Sequence, residues 1–160
     1  MALSNPNPIV YEANTYNRQI SDDLDSPERE SIDSLEIYQH LRYILDPEHP
    51  LTLEQLHILK PDQITVDDVK GNVEIVFTPT VPNCSLPAML GLCIREKLLK
   101  VLPRRFHSNI HVSVTPGTHD NEESINRQLR DKERCLAAVE RKNLKDMIDH
   151  CIYNEGNKEI

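Results

Sequence analysis

The stretch TPTVPNCSLPAML, Thr78 to Leu90, puts a cysteine, Cys84, between the strand-like run VEIVF and a helix-like repeat. The free N–H groups and dipole of a helix start favour an anion, and a thiolate is one. Such a setting pulls a thiol pKa below its reference of about 8.5, making the sulfur both a nucleophile and a soft-metal ligand. Pro79 and Pro82 stiffen the approach by fixing φ, and Pro87 suits a first helical turn, where an N–H has no partner anyway. The competing reading is a small buried hydrophobe filling a loop, and position alone leaves both open. A Cys-His hydrolase would need a base, an orienting acid and oxyanion donors, and the adjacent Asn83 cannot take a proton at neutral pH. A thiol without its own cage of ligands suits a carrier, a transfer site or a shared metal site. Any further ligands for an iron-sulfur cluster would come from a partner, a second copy or a small thiol.

The groups that stand as neighbours of this thiol are Asn83, Ser85, Asp46, Glu48 and His119. Asp46 and Glu48, in DPEHP, read as turn acids, and His119, in TPGTHD, as a turn or capping residue that also has the chance to approach Cys84. His107 and His111 are four apart, but the second falls on the polar face of a strand, and two imidazoles without a third ligand seldom hold a metal. Cys93 and Cys151 lie on apolar stripes and read as core, whereas Cys135 sits among charges and is expected to be exposed. CxxC, HExxH, P-loop and GxGxxG patterns are missing.

The elements that must position these groups follow from periodicity. Leu35, Tyr38, Leu41, Ile44 and Leu45 predict a helix from Ser34, with Ser34 as its cap and Pro47 beyond it. Residues 64 to 77 predict a hairpin, ITVDDV and VEIVF about a turn at Gly71-Asn72. Leu86, Met89, Leu90, Cys93, Ile94, Leu98 and Val101 predict an amphipathic helix from near Ser85 to Pro103. Asn109 to Thr115 alternates as a third strand, and residues 120 to 152 read as helical throughout, with a final helix starting near Asn143. Ile125, Leu129, Leu136 and Val139 form one apolar set, and Leu144, Met147, Ile148 and Cys151 another. The fold class is α+β: one domain over 34–153, a mixed or antiparallel sheet of about three strands packed against helices. An acidic leader over 1–33 reads as disordered, with NPIVY, Pro8 to Tyr11, as its one apolar island and a candidate docking motif; 154–160 reads as a tail.

The chain has 160 residues, 38% hydrophobic, enough for one core. Its net charge of -8 repels phosphate backbones and anionic lipid, which argues against nucleic acid as a direct ligand and against a membrane surface. The first residues lack the basic start and apolar centre of a signal peptide, and four dispersed cysteines read as reduced thiols, so a cytosolic or nuclear address is expected.

Taken in order, DPEHPLTLEQL, FTPTVPNCSLPAMLGL, KLLKVLP, TPGTH and INRQLRDKERCLAAVE resemble the cytosolic iron-sulfur assembly component 2 family, over about residues 34 to 152. NPNPIVY adds the leader motif of its B-type members. The resemblance implies the small subunit of the cytosolic iron-sulfur targeting complex, a cytoplasmic and nuclear adaptor with no enzyme activity and a link to chromosome segregation. It implies two partners, a beta-propeller subunit and a large helical-repeat adaptor, and clients that are apo-proteins such as DNA polymerases, primases and helicases. It further implies that Cys84, in TPT-x-P-x-C-S, is the reactive cysteine, with an iron-sulfur cluster as transient cargo and none tightly bound. Cys84 would be the chain's own metal ligand, shared with a partner. Three positions depart from the pattern: Asn83 stands where His is usual, Pro87 where a small helix former is usual, and Cys135 in a Val/Ala-rich stretch. The rival readings are a stand-alone thiol-dependent enzyme and a metal-binding homodimer.

Overall fold

The carboxylate of Asp33 accepts the N–H of Glu36 and so starts the first helix, α1, Ser34–Leu41. The cap is Asp33 and not Ser34: a carboxylate both satisfies an orphan donor and complements the positive helix end. Ile37, Tyr38 and Leu41 turn inward, and the chain then folds back through residues 42–59 without regular structure. This computed structural model describes residues 7–12, 31–82 and 86–153. Most of the expected leader, the 154–160 tail, and Asn83, Cys84 and Ser85 lie outside the described residues.

Strand β1, Ile64–Asp67, pairs antiparallel with β2, Asn72–Phe77, in the register Ile64 to Ile75, so the expected hairpin forms. Gly71 closes its turn at φ +68, a left-handed conformation that glycine adopts without strain, and a Cβ there would stand 2.7 Å from the carbonyl oxygen of Arg105. Strand β3, Ile110–Val114, runs parallel to β2 on its far side, giving the order β1-β2-β3. A parallel neighbour needs a crossover, and α2, Pro87–Val101, supplies it. Alternation then sorts the faces: Val73, Ile75, Phe77, Ile110, Val112 and Val114 are buried against helices, and Thr65, Glu74 and His111 are exposed on the other side.

The C-terminal third is three helices: α3, Glu122–Arg130; α4, Lys132–Val139; and α5, Lys142–Ile152, the last starting one residue before the expected Asn143. Asp131, in an extended conformation, ends α3 and caps α4 by accepting the N–H of Arg134. That break resets the helical phase. Had the helix continued, Leu136 would follow Ile125 and Leu129 inward; instead Cys135 is buried and Leu136 is 62% exposed. On α5, Ile148, Cys151 and Ile152 are buried and Met147, at the margin of that stripe, is exposed. No described helix is long and apolar enough to cross a membrane.

Candidate functional site

Parallel strands β2 and β3 end side by side, and each ends in a Thr-Pro doublet, Thr78-Pro79 and Thr115-Pro116. The two hydroxyls lie 2.9 Å apart, and the amide of Gln63 donates to both, at 3.0 and 3.2 Å. The Thr115 hydroxyl also donates to the Phe77 carbonyl, at 3.1 Å. This network clamps the point where the chain leaves β2 for the loop carrying Cys84. Prolines after each threonine prevent the ladder from continuing, so the backbone must diverge here.

At the loop's other flank, α2 begins at Pro87 with Leu86 as its N-cap; Leu86 makes no side-chain cap, and no acid stands in the first turn. The dipole of a 15-residue helix is thus uncompensated by carboxylates at the end facing residues 83–85. Cys84 and its neighbours Asn83 and Ser85 fall between these described flanks, at Pro82 and Leu86.

His119 is brought to the same place. The N–H of Asp120 donates to the Pro82 carbonyl at 2.9 Å, tying the TPGTHD turn to the last described residue before the loop. His119 is buried, and its Nδ1 accepts the N–H of Asn121 at 3.0 Å. It is therefore a turn-capping residue, in a turn tied to Pro82.

Asp46 and Glu48 belong to a second turn. One Asp46 oxygen accepts the N–H groups of Glu48 and His49, both at 3.0 Å, and approaches His49 Nδ1 at 3.3 Å. Burial holds the Asp46 carboxyl above its ordinary range, although the two N–H groups pull it down. Donor atoms of Asp46, Glu48 and His49 lie within 4.8 Å of one another. The turn is anchored to α5, because the Leu45 N–H donates to the Cys151 carbonyl at 3.0 Å.

The remaining thiols are structural. Cys93 and Cys151, from α2 and α5, are fully buried and hydrogen-bonded to each other; that bond, then burial, pushes the Cys93 thiol well above the usual range. Cys135 is also buried, with its thiol directed at the Gln128 and Leu129 carbonyls, and burial raises its pKa. The expected exposure of Cys135 is corrected by the phase change at Asp131. His107 and His111 are not brought together as ligands: His107 Nε2 pairs with the Leu102 carbonyl, and His111 is exposed on β3.

Sequence reasoning missed the Gln63, Thr78 and Thr115 network and the participation of His49. The signal for the first was the repetition of Thr-Pro after two apolar strands. A further unforeseen feature is Tyr11, whose ring stacks on His57 with centroids 3.4 Å apart and whose N–H donates to the Gln55 carbonyl at 2.7 Å. His57 sits at φ +52, an uncommon conformation for a residue with a Cβ.

The described residues form an α+β domain whose paired strand ends and crossover helix flank residues 83–85 along the chain, and residues 35–112 match the model of the iron-sulfur cluster assembly protein family. Relatives extend the match over nearly the whole chain. Mouse cytosolic iron-sulfur assembly component 2B is 43% identical over 150 residues, covering 94% of this chain and 91% of the relative. The protein of the same name from Dictyostelium discoideum is 38% identical over 159 residues, covering 92% and 96%. Protein AE7 of Arabidopsis thaliana is 46% identical over 157 residues, covering 96% and 97%. The chain belongs to the cytosolic iron-sulfur assembly component 2, or MIP18, family.

Proposed function

We propose that this chain is the small adaptor subunit of the cytosolic iron-sulfur targeting complex, acting in the cytoplasm and nucleus. It bridges a beta-propeller subunit and a large helical-repeat adaptor and delivers iron-sulfur clusters to apo-proteins, DNA replication and repair enzymes among them. The observation that carries this reading is similarity along almost the whole chain to proteins named for cytosolic iron-sulfur assembly. Those names describe an assembly component and not a catalyst.

Cys84 is the functional thiol, and the cluster is cargo. Its thiolate replaces one ligand of an incoming cluster and is itself replaced by a client cysteine. The uncompensated start of α2 favours the thiolate, and the Gln63, Thr78 and Thr115 clamp with the Asp120-to-Pro82 bond holds the loop's entry. One protein ligand does not retain a cluster, which suits transfer.

The test is affinity purification of the tagged chain from its own cytosol, wild type beside Cys84→Ala, with the retained proteins identified by mass spectrometry. Both forms are expected to retain a propeller subunit, a helical-repeat adaptor and iron-sulfur clients. Recovery of neither subunit by the wild type would sink the adaptor reading, and loss of both only in Cys84→Ala would make the thiol structural.

A further inference from the structure

Strand β3 is one of the two edges of the sheet, and its outward backbone is only partly covered. The Val73 N–H donates to the Asn109 carbonyl and the Thr115 N–H to the Phe77 carbonyl. In a parallel ladder, alternate residues bond the same neighbour, so 109, 111, 113 and 115 face β2 and 110, 112 and 114 turn away. Two side chains confirm the alternation from the far side. Asn126 Oδ1 accepts the Val114 N–H at 2.8 Å, and Arg95 Nη1 donates to the Ile110 carbonyl at 3.4 Å. Between these two caps, Val112, whose backbone N–H and C=O turn away from β2 by the same alternation, lines a groove of about 620 Å³.

The groove wraps the strand edge. Its lining includes Glu74 and His111 from the open sheet face and a basic set, Arg95 of α2, Arg130 of α3 and Lys132 of α4, whose Nζ also donates to the Ser108 carbonyl. Three permanent cations thus share the lining with one carboxylate on a chain whose net charge is -8. An exposed strand edge is a template for pairing, and natural proteins usually cover, charge or use it.

We propose that the β3 edge is a docking site for an extended acidic segment of a partner protein, which adds as a short fourth strand. The Val112 N–H and C=O supply the central backbone pair, and side chains of alternate residues meet the basic set. The weak Arg95 contact at 3.4 Å yields to a peptide donor, freeing the guanidinium for a carboxylate. The proposal does not depend on the role of Cys84.

The experiment is amide hydrogen exchange and chemical-shift mapping on the isotope-labelled full chain. The probes are a short synthetic peptide alternating Glu and Val and its Lys-Val counterpart. The Glu-Val peptide is expected to protect the Val112 amide and shift residues 109–114, and Arg130→Glu with Lys132→Glu is expected to weaken it about tenfold. Both side chains are exposed, and because Lys132 Nζ donates to the Ser108 carbonyl, Arg130→Glu alone, which leaves that bond in place, is measured beside the double variant and is expected to weaken peptide binding as well. No protection at about 1 mM peptide, the weak end of specific recognition, would overturn the proposal. Equal binding by the Lys-Val peptide would overturn the acidic assignment. Concentration-dependent protection of Val112 without peptide, together with a dimer in sedimentation, would make the occupant a second copy and overturn the partner assignment.

Discussion

Removing Glu54 tests how the segment between α1 and β1 is held. Arg42 and Glu54 form a two-point ion pair, Nη2 to Oε1 at 2.6 Å and Nε to Oε2 at 3.0 Å, with side chains only 7% and 3% exposed. The pair fastens residues 52–59, which carry His57, to the end of the helix that leads into the Asp46 turn. Glu54→Ala leaves a buried guanidinium without its carboxylate, a change that costs about 3 to 5 kcal/mol when no substitute exists. Substitutes do exist: Gln39 Oε1 stays at 3.0 Å, and the Tyr38 and Tyr43 rings lie 5.5 and 5.2 Å from the guanidinium carbon. The expected loss is therefore near the lower end, about 3 kcal/mol, or a fall in Tm of about 10 °C. Because the charges were paired at a desolvation cost, Arg42→Met with Glu54→Leu should recover to within about 1 kcal/mol of wild type. Thermal and urea unfolding of the three forms measures both. A loss below about 1 kcal/mol in Glu54→Ala, or a double variant no better than the single, would refute the reasoning.

Tyr11→Ala uncovers His57, whose pKa burial and then Lys60 hold below 6.5, so its imidazole should titrate closer to 6.5 by NMR; an unchanged titration would deny the stack. His40 is also held below 6.5, by burial and then Lys97, so the unfolded chain takes up the proton first. Stability contributed by neutral His40 is complete above about pH 6.5 and is lost as pH falls toward the lower folded value, and His40→Gln should flatten urea midpoints measured from pH 7 to 5. Asp46, held above 3.8, acts in the opposite sense at more acidic pH. On the native chain, brief iodoacetamide treatment should modify Cys84 before Cys93, Cys135 or Cys151, which are buried; peptide mapping that finds the first adduct on any of those three contradicts the assignment.

How much of this was legible depended on whether the signal was local. The hairpin was, because Ile64 and Val66 alternate before a glycine that can take φ +68. So was α2, from its apolar stripe and its prolines at both ends. The parallel pairing of β3 was not written in its own residues: it depends on α2 crossing over, a long-range outcome. The final helix was legible near Asn143, one residue from where α5 begins, but the break at Asp131 was hidden within a composition that favours helix, and one extended residue sufficed to exchange Leu136 for Cys135 in the core. At the candidate site, the turn roles of Asp46 and His119 followed from residue type. Their partners did not, since Asp120 meets Pro82, and Gln63 meets Thr78 and Thr115, only through the folded chain. The Tyr11 stack on His57 joins a leader island to a loop 46 residues away, and the sequence marks the island without marking its seat.

The most direct measurement is radioiron incorporation into a cytosolic iron-sulfur apo-protein in cells whose own copy is replaced by wild type or Cys84→Ala, with complex assembly followed in the same extracts. The account predicts an intact complex in both and cluster loading that collapses only with Cys84→Ala. Full loading by the variant at wild-type abundance would contradict the central claim that this thiol carries the transfer.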